Sequence, residues 1–252
     1  MWTRNELKTR AKVVLKRSYW KALVVSLIVS IVAGKSSNVF YSINQGSNYR
    51  SKFSEGGFGH SIDPKLLITM ISVGIAVILF SAVIGMAFSV FLGYPLTVGA
   101  RKFFTSLTAQ DAELSTLGYA FKSGRYMNIV KTMFYKSVLI FLWSLLLIIP
   151  GIIKSYAYSM VPYILADNPC IDYKRALDLS KKMTMGEKGN MWVLDLSFIG
   201  WYLLGALPCG IGIIFVTPYD NATKAELYVT LRSKGLQNGL FSYEELMNNE
   251  QI

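Results

Sequence analysis

The chain has 252 residues, of which 52% are hydrophobic and only 16% charged, with a mean hydropathy of +0.38. Soluble domains carry about a quarter charged residues, so the composition argues against an ordinary soluble fold. The net charge of +11 admits a nucleic acid, an anionic substrate or the inner face of a membrane as its counterpart, and bases placed beside apolar segments favour the membrane over nucleic acid.

Thr3-Arg4-Asn5-Glu6 reads as a capping box that opens a helix. Leu7, Ala11, Val14, Leu15 and Ser18 share one face of it. Arg4, Lys8, Arg10, Lys12, Lys16 and Arg17 cover much of the rest. The expectation is a basic interfacial helix over residues 1–19 on anionic inner-leaflet lipid, anchored by Tyr19-Trp20; the competing reading is a solvated, positive flank. Trp20 to Gly34 is the first expected span and doubles as the insertion signal, since no cleavable leader is visible. Residues 35–65 form a Gly-, Ser- and Asn-rich outer loop holding the single histidine, His60.

Leu66 to Ala100 lacks any Asp, Glu, Lys, Arg or His. As a helix it would be about 52 Å long, against the ~20 residues that one crossing needs. It is therefore one span plus an extension, with a break expected at Gly93-Tyr94-Pro95. Ser81, Gly85, Ser89 and Gly93 make a stripe of small residues, suited to packing within the chain or, secondarily, to a homo-oligomer or a membrane-protein partner. Residues 101–128 are a basic cytoplasmic segment with a short amphipathic helix from Leu114 to Phe121. The chain turns apolar again near Ile129, with Lys131 and Lys136 snorkelling.

The run from Phe141 to Leu165 is broken at Pro150-Gly151, which loses a backbone donor and frees the chain to turn. This reads as a hairpin tip. Ile171 to Met183 is a helix with Ala176, Leu177, Leu179 and Ser180 on one side and Lys174, Arg175, Lys181 and Lys182 on the other, inside a cytoplasmic segment over 168–189. Met191 to Leu207 is apolar apart from Asp195. Pro208-Cys209-Gly210 marks a second tip, and a polar tail fills 236–252.

With both termini cytoplasmic, a six-span arrangement places 21 bases inside and 5 outside, whereas four spans give 16 and 10. The positive-inside rule selects six. The expected fold is an all-α polytopic bundle in one integral membrane domain. Gly151 to Asp167 and Cys209 to Tyr219 are short for spans, and the latter is crossing or re-entrant. Trp143 and Trp201 each precede a proline by seven residues, and Pro162-Tyr163 with Asp167-Asn168 echoes Pro218-Tyr219 with Asp220-Asn221. Duplicated hairpins and chance both fit this.

Asp195 is the acid deepest in an apolar run, so it leads the candidate polar site, with Lys154 and Tyr202 beside it. The competing reading pairs Asp195 with Lys131 or Lys136 for packing. A cavity lined by Asp195, Tyr156, Tyr158 and Tyr202 would favour transport. One loop histidine supports no Ser-His-Asp set, and neither Cys170 nor Cys209 stands at metal-ligand or disulfide spacing. No catalytic residue, cofactor or metal is expected. The function expected is that of a non-enzymatic membrane or envelope factor, with a small-solute transporter or lipid-translocating protein as the alternative.

Arg4 to Lys8 with Ala11-Lys12, the block Ile149 to Met160, Tyr163 to Pro169, Ala176 to Lys182 and Asp195 to Trp201 together resemble an uncharacterised family of bacterial multi-span proteins labelled a domain of unknown function. The pattern is more distantly similar to the membrane domain of some glycerophosphodiester phosphodiesterases. The resemblance implies an all-helical protein of the bacterial cytoplasmic membrane. It carries over no catalytic residue, because the phosphodiesterase's soluble domain has no counterpart here.

Overall fold

A computed structural model describes residues 2–32, 64–109, 112–122, 126–207 and 210–247. Most of the expected outer loop with His60, the tip residues Pro208 and Cys209, and the last five residues of the tail lie outside the described residues. Everything described is helix or short connection.

Helix α1 (Arg4–Val32) starts as the capping residues require, with the Glu6 amide donating to Thr3 Oγ1 at 3.3 Å. Glu6 turns its carboxylate to Arg10 rather than back to the cap. Leu7, Ala11, Leu15 and Ser18 are buried, as the sequence period demands. At Ser18 the backbone leaves the helix (φ −140°, ψ 36°), which splits α1 into a basic half and an apolar half.

Helix α2 (Pro64–Phe88) runs into a π-helical turn over Ser89–Gly93 and continues as α3 (Tyr94–Ala109). The expected break is this turn: the Tyr94 amide donates to Ser89 five residues back, and the chain does not stop. From Ile68 to Phe88 every residue is exposed, whereas Val98, Phe103, Phe104 and Leu107 of α3 are buried. Gly99 lets a 3₁₀ turn at Leu114–Gly118 close on α3, since a Cβ there would lie 2.3 Å from the Leu117 carbonyl oxygen. A short helix, α4 (Tyr119–Lys122), follows.

Helices α5 (Tyr126–Leu146) and α6 (Ile148–Ala157) form the first hairpin. Its tip is Leu147, in extended conformation (φ −157°, ψ 142°), and not Pro150-Gly151. Pro150 lies in the first turn of α6, where amides lack intrahelical partners and a missing N–H costs little. Gly151 serves close packing: a Cβ there would sit 2.8 Å from Ser144 Cα on the opposite arm.

The return arm is no single span. It breaks at Tyr158–Met160, and α7 (Val161–Asp167) is buried at all seven positions, packed on α3. A helix enclosed on every side by protein does not face lipid, so the expected crossing over 151–167 is not reproduced. Helix α8 (Tyr173–Met183) is capped by Asp172, whose carboxylate accepts from the Lys174 amide at 3.0 Å, and buries the predicted Ala176, Leu177, Leu179 and Ser180.

Helices α9 (Lys188–Ala206) and α10 (Ile211–Gln237) form the second hairpin. Gly210 opens α10 with φ +80°. Gly205 and Gly212 face each other, and a Cβ on Gly212 would lie 2.6 Å from Gly205 Cα. Unlike the first return arm, α10 stays one helix for 27 residues, through Pro218. The echoed residues thus sit in dissimilar arms. Beyond Ser18, Tyr19 donates to the Phe215 carbonyl and Asn221 donates to Ser26 Oγ. Numbers rise together on both helices, so this half of α1 runs in the same sense as α10, where the expected first and last spans would be antiparallel. A short helix, α11 (Tyr243–Met247), ends the described chain. Among the described residues, two helical stretches are long and apolar enough to cross a membrane, Ile68–Ala109 and Tyr126–Leu146; six crossings are not reproduced.

Candidate functional site

The two hairpins meet over a polar cluster. Asp195 of α9 accepts from the Tyr156 hydroxyl of α6 at 2.8 Å and pairs with Lys224 of α10 at 3.2 Å. Lys224 also holds Asp220, one helical turn away, at 2.9 Å, and Tyr202 donates to the same carboxylate oxygen at 3.0 Å. The ion pair of Asp195 is therefore with Lys224, not with Lys131 or Lys136; Lys131 lies over the Tyr173 ring instead. Lys224 reaches Asp195 because α10 continues as helix past Pro218.

Next to this cluster Arg101 of α3 donates to Asn221 Oδ1 at 2.9 Å and to the Tyr163 hydroxyl at 3.2 Å. Asn221 passes the connection to Ser26 at 3.1 Å. One guanidinium thus joins α3, α7, α10 and α1. Two polar atoms here are buried without a hydrogen-bond partner: Asp220 Oδ1 and Arg101 Nε. Two bases, Arg101 and Lys224, thus stand among two acids, Asp195 and Asp220, so the formal charges of the cluster cancel.

The sequence-derived site residues divide. Asp195 and Tyr202 come together with Tyr156 through Lys224 and Asp220. Lys154 stays apart, 4.7 Å from the centre of the Trp143 ring on the other arm of its hairpin. Among the small residues, Gly93 is buried, while Ser81 and Gly85 are exposed and a Cβ on Gly85 would meet open space. The packing within the chain expected of this stripe is absent along α2.

Of the expected lipid-facing bases, Arg4, Lys12, Lys16, Arg17, Lys174, Lys181 and Lys182 are exposed. Lys8 instead donates to the Ser197 carbonyl and lies 4.5 Å from the centre of the Phe198 ring. Arg175 is also committed elsewhere. It grips Glu245 through Nε at 2.7 Å and the Leu240 carbonyl at 3.1 Å, binding the C-terminal segment to α8.

A second ionic centre escaped the sequence. Asp167, its side chain 3% exposed, accepts from Arg232 and from Tyr228, both at 2.7 Å. It is the last residue of α7, just before Asn168-Pro169, and Tyr228 and Arg232, one turn apart on α10, present two donors to it. Glu187 is likewise enclosed, receiving Lys234 at 2.7 Å and Asn190 at 3.0 Å. Burial opposes its charge, but these donors prevail and hold its carboxyl below the usual range. Among the described residues no three His, Cys, Asp or Glu side chains converge as metal ligands.

No curated protein and no solved structure matches the chain. Residues 1–235 match the family described as a protein of unknown function, DUF975. That match covers both hairpins and every member of the polar cluster, and the chain belongs to this family.

Proposed function

We propose that this protein is a non-enzymatic factor of a bacterial cell membrane, embedded in it through α2 and the two hairpin ends, with its packed half on the cytoplasmic side. It acts through contacts with anionic inner-leaflet lipid and with a membrane-protein partner or further copies of itself. The observation that carries this reading is the segregation of its surface. Large apolar side chains are exposed over residues 68–92, 141–153 and 196–207, while exposed bases line the first half of α1. Such a surface suits lipid tails beside charged headgroups. The cancelled charges around Asp195 support a role in holding the hairpins together. Bacterial origin and the distant likeness to a phosphodiesterase membrane domain belong to the same proposal.

The test is flotation of purified protein with vesicles of zwitterionic lipid alone or with added phosphatidylglycerol. The wild type should associate more with the anionic vesicles, and the triple variant Lys12→Glu, Lys16→Glu, Arg17→Glu should lose that preference. Equal association with both vesicle types would refute the lipid part of the reading.

A second reading, transport of a small solute or lipid, is favoured by the buried and unpartnered Asp220 Oδ1. It requires Asp220→Asn to abolish a flux in reconstituted vesicles while leaving the protein folded.

A further inference from the structure

Each hairpin ends in an apolar cap above a collar of lysine and aromatic rings. In the first, Phe141 to Ile149 are all exposed, as are Ile152 and Ile153. Below them Lys154 lies over the Trp143 ring at 4.7 Å and near the Tyr158 ring at 6.0 Å. In the second, Leu203, Leu204 and Leu207 are more than 60% exposed. Below them Phe198 and Trp201 stack edge-on against Tyr219, with Lys8 over Phe198 and Lys12 5.8 Å from the Tyr219 ring centre.

The height of the caps can be read from the helices. Lys154 is seven residues beyond the Leu147 tip, a rise of about 10 Å. Leu207 is nine residues beyond Phe198, and Tyr219 nine beyond Gly210, a rise of about 13 Å on either arm. The hydrocarbon core is about 30 Å thick. A hairpin that crossed it would bring its tip to the far boundary and its lysine collar to the region near the middle, where charge is least tolerated. For the second hairpin the conflict is sharper. Tyr19 is bonded to Phe215, so the exposed Lys16 and Arg17 just before it would be carried into the hydrocarbon as well.

Entry into one leaflet removes both conflicts. The caps then fill roughly half the core, and the collars reach the headgroups, where lysine and aromatic rings are both at home. We propose that the two hairpins are wedges inserted into the single leaflet facing the packed half of the molecule. Their tips at Leu147 and Leu207 end inside the bilayer, and Lys12, Lys16, Arg17 and Lys154 engage its anionic headgroups. This rests on the membrane reading above and specifies how the hairpins meet the lipid.

The test uses the full chain with Cys170→Ser and Cys209→Ser, reconstituted in vesicles of phosphatidylethanolamine and phosphatidylglycerol. Single variants Leu147→Cys, Leu207→Cys and Leu79→Cys carry an environment-sensitive fluorophore. Labels at 147 and 207 should be quenched by lipids bearing a spin label within the acyl chains. Quenching should be about twofold stronger from vesicles spin-labelled only in the leaflet on the side of the packed half than from those labelled only in the other, as insertion confined to one leaflet requires. In intact cells neither cysteine should react with an impermeant thiol reagent. Reaction of residue 147 or 207 from outside the cell would establish a crossing and overturn the proposal. Tips left unquenched while Leu79→Cys is quenched would also overturn it, with the membrane reading intact. If all three labels stay unquenched, the membrane reading fails with it.

Discussion

The half of the molecule around α7 and the half around the hairpin tips are built on opposite rules. In the first, Val161 to Asp167 are all buried, and even the charged residue is enclosed, held by Tyr228 and Arg232. In the second, Phe141 to Ile149 and nearly all of Ile199 to Leu207 are exposed, although the chemistry is as apolar as any core. Apolar character therefore does not by itself decide burial here. Close backbone approach does: the hairpin arms touch through Gly151 and Gly205, and beyond those contacts the side chains face outward. The enclosed half gains stability from packing and paired charge. The other half gains it from whatever apolar medium surrounds it.

This contrast can be broken at the enclosed end first. Asp167→Ala would remove the enclosed carboxylate to which Arg232 and Tyr228 both donate, at a cost of about 3–5 kcal/mol. A large fall in the melting temperature of detergent-solubilised protein is expected, and a small one would mean that the enclosed half is looser than its contacts suggest. Next comes the Asp195 cluster. Lys224→Met leaves two carboxylates without their shared cation and should cost more than Asp195→Asn, for which about 1–3 kcal/mol is expected. The double variant should recover part of the Lys224→Met loss in the same melting assay, because fewer charges are then stranded.

Gly205→Val is the matching probe of the tip. With the Gly212 backbone in the way, the arms must splay, at about 1–3 kcal/mol. A cysteine pair across the two arms would then cross-link more slowly. Smaller still is the clamp on the tail. The Arg175 guanidinium, hydrogen-bonded to Glu245, holds that carboxyl below its usual range. The folded value thus lies under the unfolded value of about 4.3. The stabilisation is complete above the unfolded value and fades as pH falls through the folded one. Proteolysis after residue 238 should accelerate only in acid, below about pH 4, and by a modest factor because both side chains are about a third exposed. The smallest effect is expected for Gly85→Ala on α2, within about 0.5 kcal/mol. A larger loss would show that the open space beside Gly85 is filled by another helix in the assembled protein.

The local rules of the sequence were readable wherever neighbours in sequence decide the outcome. Thr3 caps α1, the apolar face of α8 is buried as its period requires, and the hairpins exist where prolines interrupt apolar runs. Asp195 and Tyr202 fall in one cluster because both lie on α9. What was not readable depends on partners far along the chain. Lys224 is 29 residues from Asp195, and only an unbroken helix through Pro218 delivers it, against the usual effect of an internal proline. Asp167 carries no local sign of its role, because its donors, Tyr228 and Arg232, come more than 60 residues later. The turn falls at Leu147, three residues before the expected Pro150, since a proline is tolerated in the first helical turn as well as at the break itself.

The π-helical turn at Ser89–Gly93 inserts one extra residue into an otherwise continuous rod. Each residue of an α-helix advances the azimuth by about 100°. That single residue therefore acts as a phase shifter between α2 and α3. It sets which side of α2 points toward any neighbour, independently of how α3 is seated in the packed half. Deleting one residue there would re-aim the whole of α2 like a vane on a fixed mast, leaving Phe103, Phe104 and the contacts around Arg101 where they are.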